Sequence, residues 1–276
     1  MSQYYNYKTA VLILLMSLIA YLVLVVGLYY NPDIMGSAPQ ALGYIALIFF
    51  ELLLLVPLLL YVIGNKKSVK HAFRLRPVPL GGIRDILFVA VGMFVALELI
   101  RYLMERFLNF DPVFGSYYRV DYPLNILLLF FLSVVITPVV EEAVFRGYLL
   151  RVMLRNKYSP LIAIITTALL FSLSHLTYRN AAGIFVAGLI LGYVAYSYYS
   201  IIPAIIIHSL FNLMVLIDVN IPAIRELVLG ARSYVVWILC AGGIVAMTLG
   251  LLNIKNKVHI HRTKRGLNSE GVDDEK

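Results

Sequence analysis

The chain has 276 residues, 61% of them hydrophobic and only 14% charged, with a formal net charge of +8. That balance excludes a soluble globular domain and specifies an all-α, polytopic helical membrane protein. The positive excess sits in loops between apolar runs, so lipid headgroups account for it and nucleic acid does not.

In chain order, eight apolar segments are long enough to span a bilayer: Ala10–Leu28, Ala41–Ile63, Ile86–Leu103, Leu124–Glu142, Pro160–Leu176, Ala181–Tyr198, Pro203–Ile217 and Tyr234–Leu252. Roughly 20 residues at about 1.5 Å each cross the hydrocarbon core. The first run is longer than a signal-peptide core and lacks an evident cleavage site, so it is expected to be retained. Gly188-x-x-x-Gly192 in the sixth segment predicts close helix packing. Cys240, the single cysteine, excludes an internal disulfide and a cysteine-based zinc cluster. It reads as a packing residue.

Orientation follows from Lys and Arg. The loops at 65–84 and 146–157, the stretch after Leu252 and Lys8 together hold 17 of the 23 basic residues. This predicts both termini in the cytoplasm. Residues 1–254 form one transmembrane domain. Residues 255–276 form a polar cytoplasmic tail, expected to lack structure. His259 and His261 on that tail do not make a metal site by themselves.

Ionisable residues within the spans are few: Glu51, Glu98, Glu141, Glu142, His175 and His208, with Arg101 and Arg146 near span ends. A charge at the centre of a spanning helix costs about 2.5–3.5 kcal/mol on insertion scales, so such residues face a bundle interior or a wet cavity. In the stretch Val139–Leu150, Glu142 and Arg146 are four apart on one helical face, acid first, the favourable order. Glu141 is rotated about 100° away, toward Phe145. One carboxylate therefore has a built-in cationic partner. The other is left to exchange a proton with a reacting group. Glu141 is expected to do chemistry, and Glu142 with Arg146 to support the helix. Pro138 removes a backbone donor three residues earlier and predicts a bend there.

Phe171 and His175 lie one turn apart on the fifth segment, and His208 and Asn212 on the seventh. Their cost in lipid predicts that these groups meet. Glu plus His can orient and deprotonate a water, and His plus Asn can donate to an oxyanion. A zinc site of Glu141, His175 and His208 has suitable residue types but lacks the usual H-E-x-x-H spacing. Ser172, Ser174 and Ser209 leave a serine nucleophile open. Glu51 and Glu98 either line the cavity or pair with Arg101 or a tyrosine.

The motifs Glu141-Glu142-x-x-x-Arg146, Phe171-x-x-x-His175 and His208-x-x-x-Asn212 resemble those of the CPBP family, also called Abi or type II CAAX prenyl endopeptidases. They cover residues 124–217, the expected catalytic core in helices 4–7. The resemblance implies an intramembrane endopeptidase. Glu141 and His175 would activate water, and His208 and Asn212 would support the oxyanion. Family members are labelled metalloproteases, yet a metal-free, glutamate-activated water is also proposed for them. The metal-free form is expected here, with zinc as the alternative. CAAX-type members remove a C-terminal tripeptide beyond a prenylated cysteine. The expected partners are therefore membrane lipids and a peptide or prenylated protein C-terminus. The alternative is a non-catalytic scaffold or bacteriocin-immunity protein that retains the motifs. A proton-coupled transporter is a third reading, but it would need repeat symmetry and broken helices.

Glu141 and His175 are equidistant from residue 158, so a hairpin turning there sets them at one height. His208 lies much nearer the start of its own segment. The heights agree if the fourth–fifth hairpin projects about 10–15 Å into the cytoplasm.

Overall fold

The computed structural model describes residues 12, 15, 16, 19, 40–66, 68–108, 120, 122–175, 180–221 and 233–265. It is helical throughout, without a strand among the described residues. The helices are α1 (Gln40–Gly64), the single turn α2 (Val69–Ala72), α3 (Ile83–Leu108), α4 (Pro123–Arg155), α5 (Pro160–Ser174), α6 (Ala181–Tyr198), α7 (Ile202–Asn220) and α8 (Ser233–Arg265).

Six of these, α1, α3, α4, α6, α7 and α8, contain a stretch long and apolar enough to cross a membrane, while α5 is apolar but only 15 residues long. The chain is a polytopic helical membrane protein. The expected first span, Ala10–Leu28, lies outside the described residues apart from four isolated positions. Two boundaries differ from the hydropathy reading. The fourth helix does not stop at Glu142 but runs to Arg155. The last helix continues to Arg265, into the segment expected to lack structure. Hydropathy marks where apolar side chains end, but the backbone ladder continues as long as polar side chains find partners. In α4 they do: Arg146 is paired internally, and Arg151 Nη1 donates to the carbonyls of His71 and Ala72. The side chains of His259 and His261 lie outside the described part.

α4 is one rod with two widened turns. π-helical stretches, Phe131–Ile136 and Ala143–Leu149, flank an α-helical piece, Thr137–Glu142. Pro138 stands in the first turn of that piece. It has no N–H to return to the preceding turn, and the ladder widens just before it. The backbone register thus changes on either side of Glu141 and Glu142. Ser133 Oγ donates to the Leu129 carbonyl at 2.7 Å within the first widened stretch.

α5 begins at a cap, Ser159 Oγ accepting from the Ile162 amide at 3.3 Å with Pro160 next in sequence. It returns antiparallel to α4. α6 packs on α5 at the closest possible distance. A Cβ on Gly188 would lie 2.9 Å from the Ala168 Cα, and one on Gly192 3.2 Å from Ile164 Cγ2. The small-residue spacing thus does what it predicts. α8 lies along α3, where Gly92 faces the Gly243 backbone and a Cβ on Gly243 would lie 2.8 Å from Val95.

Asn212 reaches Ser133 and His208 reaches Glu141, so α7 runs antiparallel to α4. From the level of Glu141, α4 continues 14 residues to Arg155, while α7 begins six residues before His208. At 1.5 Å per residue the α4–α5 turn therefore lies about 12 Å beyond the start of α7. The hairpin overreaches its neighbour by that length.

One end of the bundle gathers the basic loops. Arg151 ties α4 to the α2 turn, and Ser200 Oγ donates to the Arg76 carbonyl at 2.6 Å, tying the α6–α7 turn to the same segment. Among the described residues the buried apolar side chains form four clusters, the smallest being Leu150, Ala163 and Ile164 where α4 meets α5. The first centres on α1 and α4 (Leu58, Val62, Val144, Tyr148), and the second on α3, α6 and α7 (Val89, Met93, Leu191, Ile207). A third, of Tyr44, Leu129 and Leu132, closes the far end of α4. The candidate site residues lie where the first two adjoin.

Candidate active site

Glu142 is wholly buried on α4 and holds two partners with one oxygen. Arg146 Nη1 donates to its Oε1 at 2.8 Å, and His208 Nδ1 lies 3.1 Å from the same atom. The i, i+4 pair predicted from spacing is present, and both side chains are inaccessible. Arg146 does more than pair. Its Nη2 donates to the Gly188 carbonyl at 3.1 Å, and its guanidinium lies 4.4 Å from the centre of the Phe171 ring. The glycine that lets α6 approach α5 therefore also exposes the carbonyl that Arg146 uses. A buried guanidinium needs this many partners, because stranding a charge in the interior costs several kcal/mol.

Phe171 is the hub of the ring contacts. Phe145, His175 and His208 meet it edge to face, at centroid distances of 5.2, 4.8 and 6.2 Å. Such pairs contribute about 0.5–1.5 kcal/mol beyond area burial. They also fix the planes of both imidazoles.

His175 caps the C-terminus of α5. Its Nδ1 lies 2.8 Å from the Phe171 carbonyl. A carbonyl can only accept, so Nδ1 carries the hydrogen and Nε2 turns into the cavity. That Nε2 is 3.6 Å from Glu141 Oε1. His208 Nε2 is 3.8 Å from Glu141 Oε2. The Glu141 carboxylate thus lies between two imidazole edges, too far for direct hydrogen bonds and close enough for one water to touch both sides. Its Oε2 is buried with no hydrogen-bond partner among the described residues. Glu142 Oε2 is likewise without a hydrogen-bond partner, and what sets Glu141 apart is that its carboxylate borders a cavity in which a water or substrate could meet it.

Asn212, one turn beyond His208, donates through Nδ2 to the Ser133 carbonyl at 2.6 Å. Each amide nitrogen has two hydrogens, so one is committed to the widened stretch of α4 and one remains. Glu141, His175, His208 and Asn212 all border one cavity of about 140 Å³, well above the roughly 15 Å³ that one water requires. The structure brings together every residue singled out from the three motifs.

The serines are placed otherwise. Ser172 Oγ donates to the Ala181 carbonyl and Ser174 Oγ to the Phe171 carbonyl, each at 2.8 Å, as backbone ties. Among the described residues, no group of three or more His, Cys, Asp or Glu side chains is arranged to hold a metal ion. Glu141, His175 and His208, the set named for zinc, do not form such a group.

One relationship was not legible in the motifs, whereas the two alternatives expected for Glu98, lining the cavity or pairing with Arg101, are both realised. Glu142 reads as the partner of Arg146 alone, yet it also holds His208 from 66 residues away. α3 supplies a charged pair to the same cavity: Arg101 Nη2 and Nε donate to Glu98 Oε2 at 2.6 and 2.9 Å. Their signal was the presence of charges inside an apolar span. Glu51 is buried on α1 and does not line this cavity.

No curated protein and no solved structure matches the chain. Residues 123–214, from the start of α4 into α7, match the family model described as type II CAAX prenyl endopeptidase Rce1-like. The match spans 92 of the 276 residues and contains Glu141, Glu142, Arg146, Phe171, His175, His208 and Asn212. It supports an integral membrane protease of the endopeptidase class. The segment that builds this wall of the cavity is thus similar to the Rce1-like family model, in line with the resemblance of its motifs.

Proposed function

We propose that this protein is an intramembrane endopeptidase that hydrolyses a peptide bond near the cytoplasmic side of the membrane, in CAAX-type processing of a peptide or prenylated protein C-terminus. The observation that carries this reading is Glu141, with an unpartnered carboxylate oxygen, set between the Nε2 atoms of His175 and His208 at 3.6 and 3.8 Å.

In this reading a water sits against Glu141 and His175 Nε2. Glu141 takes its proton as the oxygen attacks the scissile carbonyl carbon. The carbonyl electron pair moves to oxygen, and the resulting oxyanion accepts from Asn212 Nδ2 and from His208. As an imidazolium with Nδ1–H on Glu142, His208 has an Nε2–H to donate. Collapse re-forms the carbonyl and breaks the C–N bond. Glu141 returns its proton to the departing nitrogen, giving a carboxylic acid and an amine, and the acid's remaining proton passes to the amine to leave a carboxylate and an ammonium. Glu142 and Arg146 touch no reacting atom in this scheme; they orient His208 and anchor α4. A lipid-linked substrate suits the site, because its tail can stay in the bilayer while its peptide enters from the end that carries the basic loops.

The test is mass analysis of a farnesylated CAAX peptide after incubation with the purified protein, with and without a chelator. The reading expects release of the C-terminal tripeptide in both samples. Loss of cleavage in the chelator sample, restored by zinc, would replace the metal-free scheme. An intact peptide in every sample would favour a scaffold or immunity-type protein in which the same buried network serves packing alone.

A further inference from the structure

The cavity wall opposite the motifs has its own chemistry. α3 contributes Met93, Leu97, Glu98, Ile100, Arg101 and Met104 to it. These fall at helical spacing on one face, a strip about 16 Å long. The strip is apolar except at Glu98 and Arg101. Both are partly exposed, with side-chain accessibilities of 32% and 27%. α3 lies outside the segment that matches the family model, so nothing in that match assigns these residues.

Arg101 presents Nε and Nη2 to one oxygen of Glu98. That edge of a guanidinium is the one a carboxylate takes in a forked pair. An ion pair could have been closed on the protein surface at less cost. Here it stands on the wall of an apolar cavity that also holds Glu141. The first turn of α6 adjoins it: a Cβ on Gly183 would lie 3.9 Å from Leu97, and Asn180 and Gly183 line the same cavity. The amide end of that helix favours negative charge nearby.

We propose that Arg101 is the anchor for the free C-terminal carboxylate of the substrate, and that Glu98 holds the guanidinium in place until that carboxylate displaces it. The proposal rests on the peptidase reading for its substrate and adds to it the residue on α3 that meets the substrate's carboxylate. Met93, Leu97, Ile100 and Met104 supply the apolar surface for the substrate's last residues. Exchanging one carboxylate for another leaves Arg101 paired throughout, so the cation is never stranded in the cavity.

The experiment measures binding to full-length protein carrying Glu141→Gln, which removes turnover from the readout. The probes are one S-farnesylated tetrapeptide ending in aliphatic residues, made with a free carboxylate and as the C-terminal amide. The amide is expected to bind about tenfold to a hundredfold more weakly, the range for a hydrogen-bonded charge. Adding Arg101→Gln should make the two probes bind alike. Adding Glu98→Gln instead should tighten binding of the acid and leave the amide unchanged. If Arg101→Gln fails to fold because Glu98 loses its partner, the double variant Glu98→Gln/Arg101→Gln removes both charges and tests the same equality. Equal binding of both probes to the parent, no binding of either, or undiminished discrimination without Arg101 would overturn the anchor. Wild-type cleavage of both probes at equal kcat/KM would overturn the anchor and leave the peptidase reading standing. Carboxylate-dependent binding without any cleavage by the wild type would do the reverse.

Discussion

Glu142 Oε1 lies 3.1 Å from His208 Nδ1, joining α4 to α7 across 66 residues of sequence. The same oxygen accepts from Arg146. A buried carboxylate that is paired with a guanidinium and also grips an imidazole does two jobs at once. It neutralises a cation that could not otherwise be buried, and it holds the Nδ1 edge of His208 so that Nε2 faces the cavity. The neighbouring glutamate has neither restraint. The two adjacent acids therefore divide support from chemistry, and substitutions at each should separate stability from activity.

Removing Glu142 leaves Arg146 buried without its carboxylate. Breaking one side of such a pair costs about 3–5 kcal/mol. Glu142→Ala should lower the unfolding midpoint of the purified protein by an amount of that order in a denaturant titration. Glu141→Gln should change the midpoint little, since its Oε2 has no hydrogen bond to lose. Similar midpoints for Glu142→Ala and the wild type would contradict the supporting role.

Arg146→Lys should also destabilise, although the charge is kept. A lysine ammonium cannot pair with Glu142, donate to the Gly188 carbonyl and lie flat over Phe171 at the same time. The expected loss is about 1–3 kcal/mol, the cost of leaving a buried acceptor unmet together with a lost cation–π contact. Phe171→Leu should remove part of the same energy. A double-mutant cycle between the two positions should give a coupling well above zero, and additive effects would show that the ring contact carries nothing.

Gly188→Val tests the contact between α5 and α6. Its Cβ would start 2.9 Å from the Ala168 Cα, so the helices must separate. Overpacking of this kind costs about 1–3 kcal/mol. Separation also draws the Gly188 carbonyl away from Arg146. The expected result is a lower midpoint together with lower activity. A variant as stable and active as the wild type would contradict the tight packing.

Asn212→Ala removes the amide proposed to meet the oxyanion. A lost oxyanion donor costs about 10²–10³ in kcat. The substitution also removes the bond to the Ser133 carbonyl, worth about 1 kcal/mol of stability. A fall in kcat with little change in KM is the expected pattern in steady-state assays. A rise in KM alone would move Asn212 from catalysis to substrate binding.

What could be read from the sequence divides along physical lines. Glu142 with Arg146 was legible because four residues on a helix fix a distance. The meeting of Glu141 with His175 was legible because a hairpin turning near residue 158 sets them level, and that turn falls at 156–159. The Arg146–Gly188 and Glu142–His208 contacts were not, because each depends on how separate helices rotate against each other. The apolar span ends at Glu142, while the helix continues toward the turn near residue 158 as the pairing of Glu142 with Arg146 required. Arg146 and Arg151 look like the start of a solvated loop until the carbonyls of Gly188, His71 and Ala72 are seen to receive them. The widened turns around Pro138 leave no periodicity that a one-dimensional pattern would reveal. The charges at Glu98 and Arg101 were visible, but only the fold places them on the wall of the same cavity as Glu141.

The most direct test compares wild type and Glu141→Gln in the cleavage of one farnesylated CAAX peptide, with both proteins first shown to unfold at the same midpoint. The account predicts tripeptide release by the wild type and a rate lower by about 10²–10⁴ in the variant, the range for a lost general base. Equal rates from two equally folded proteins would contradict the central role of Glu141.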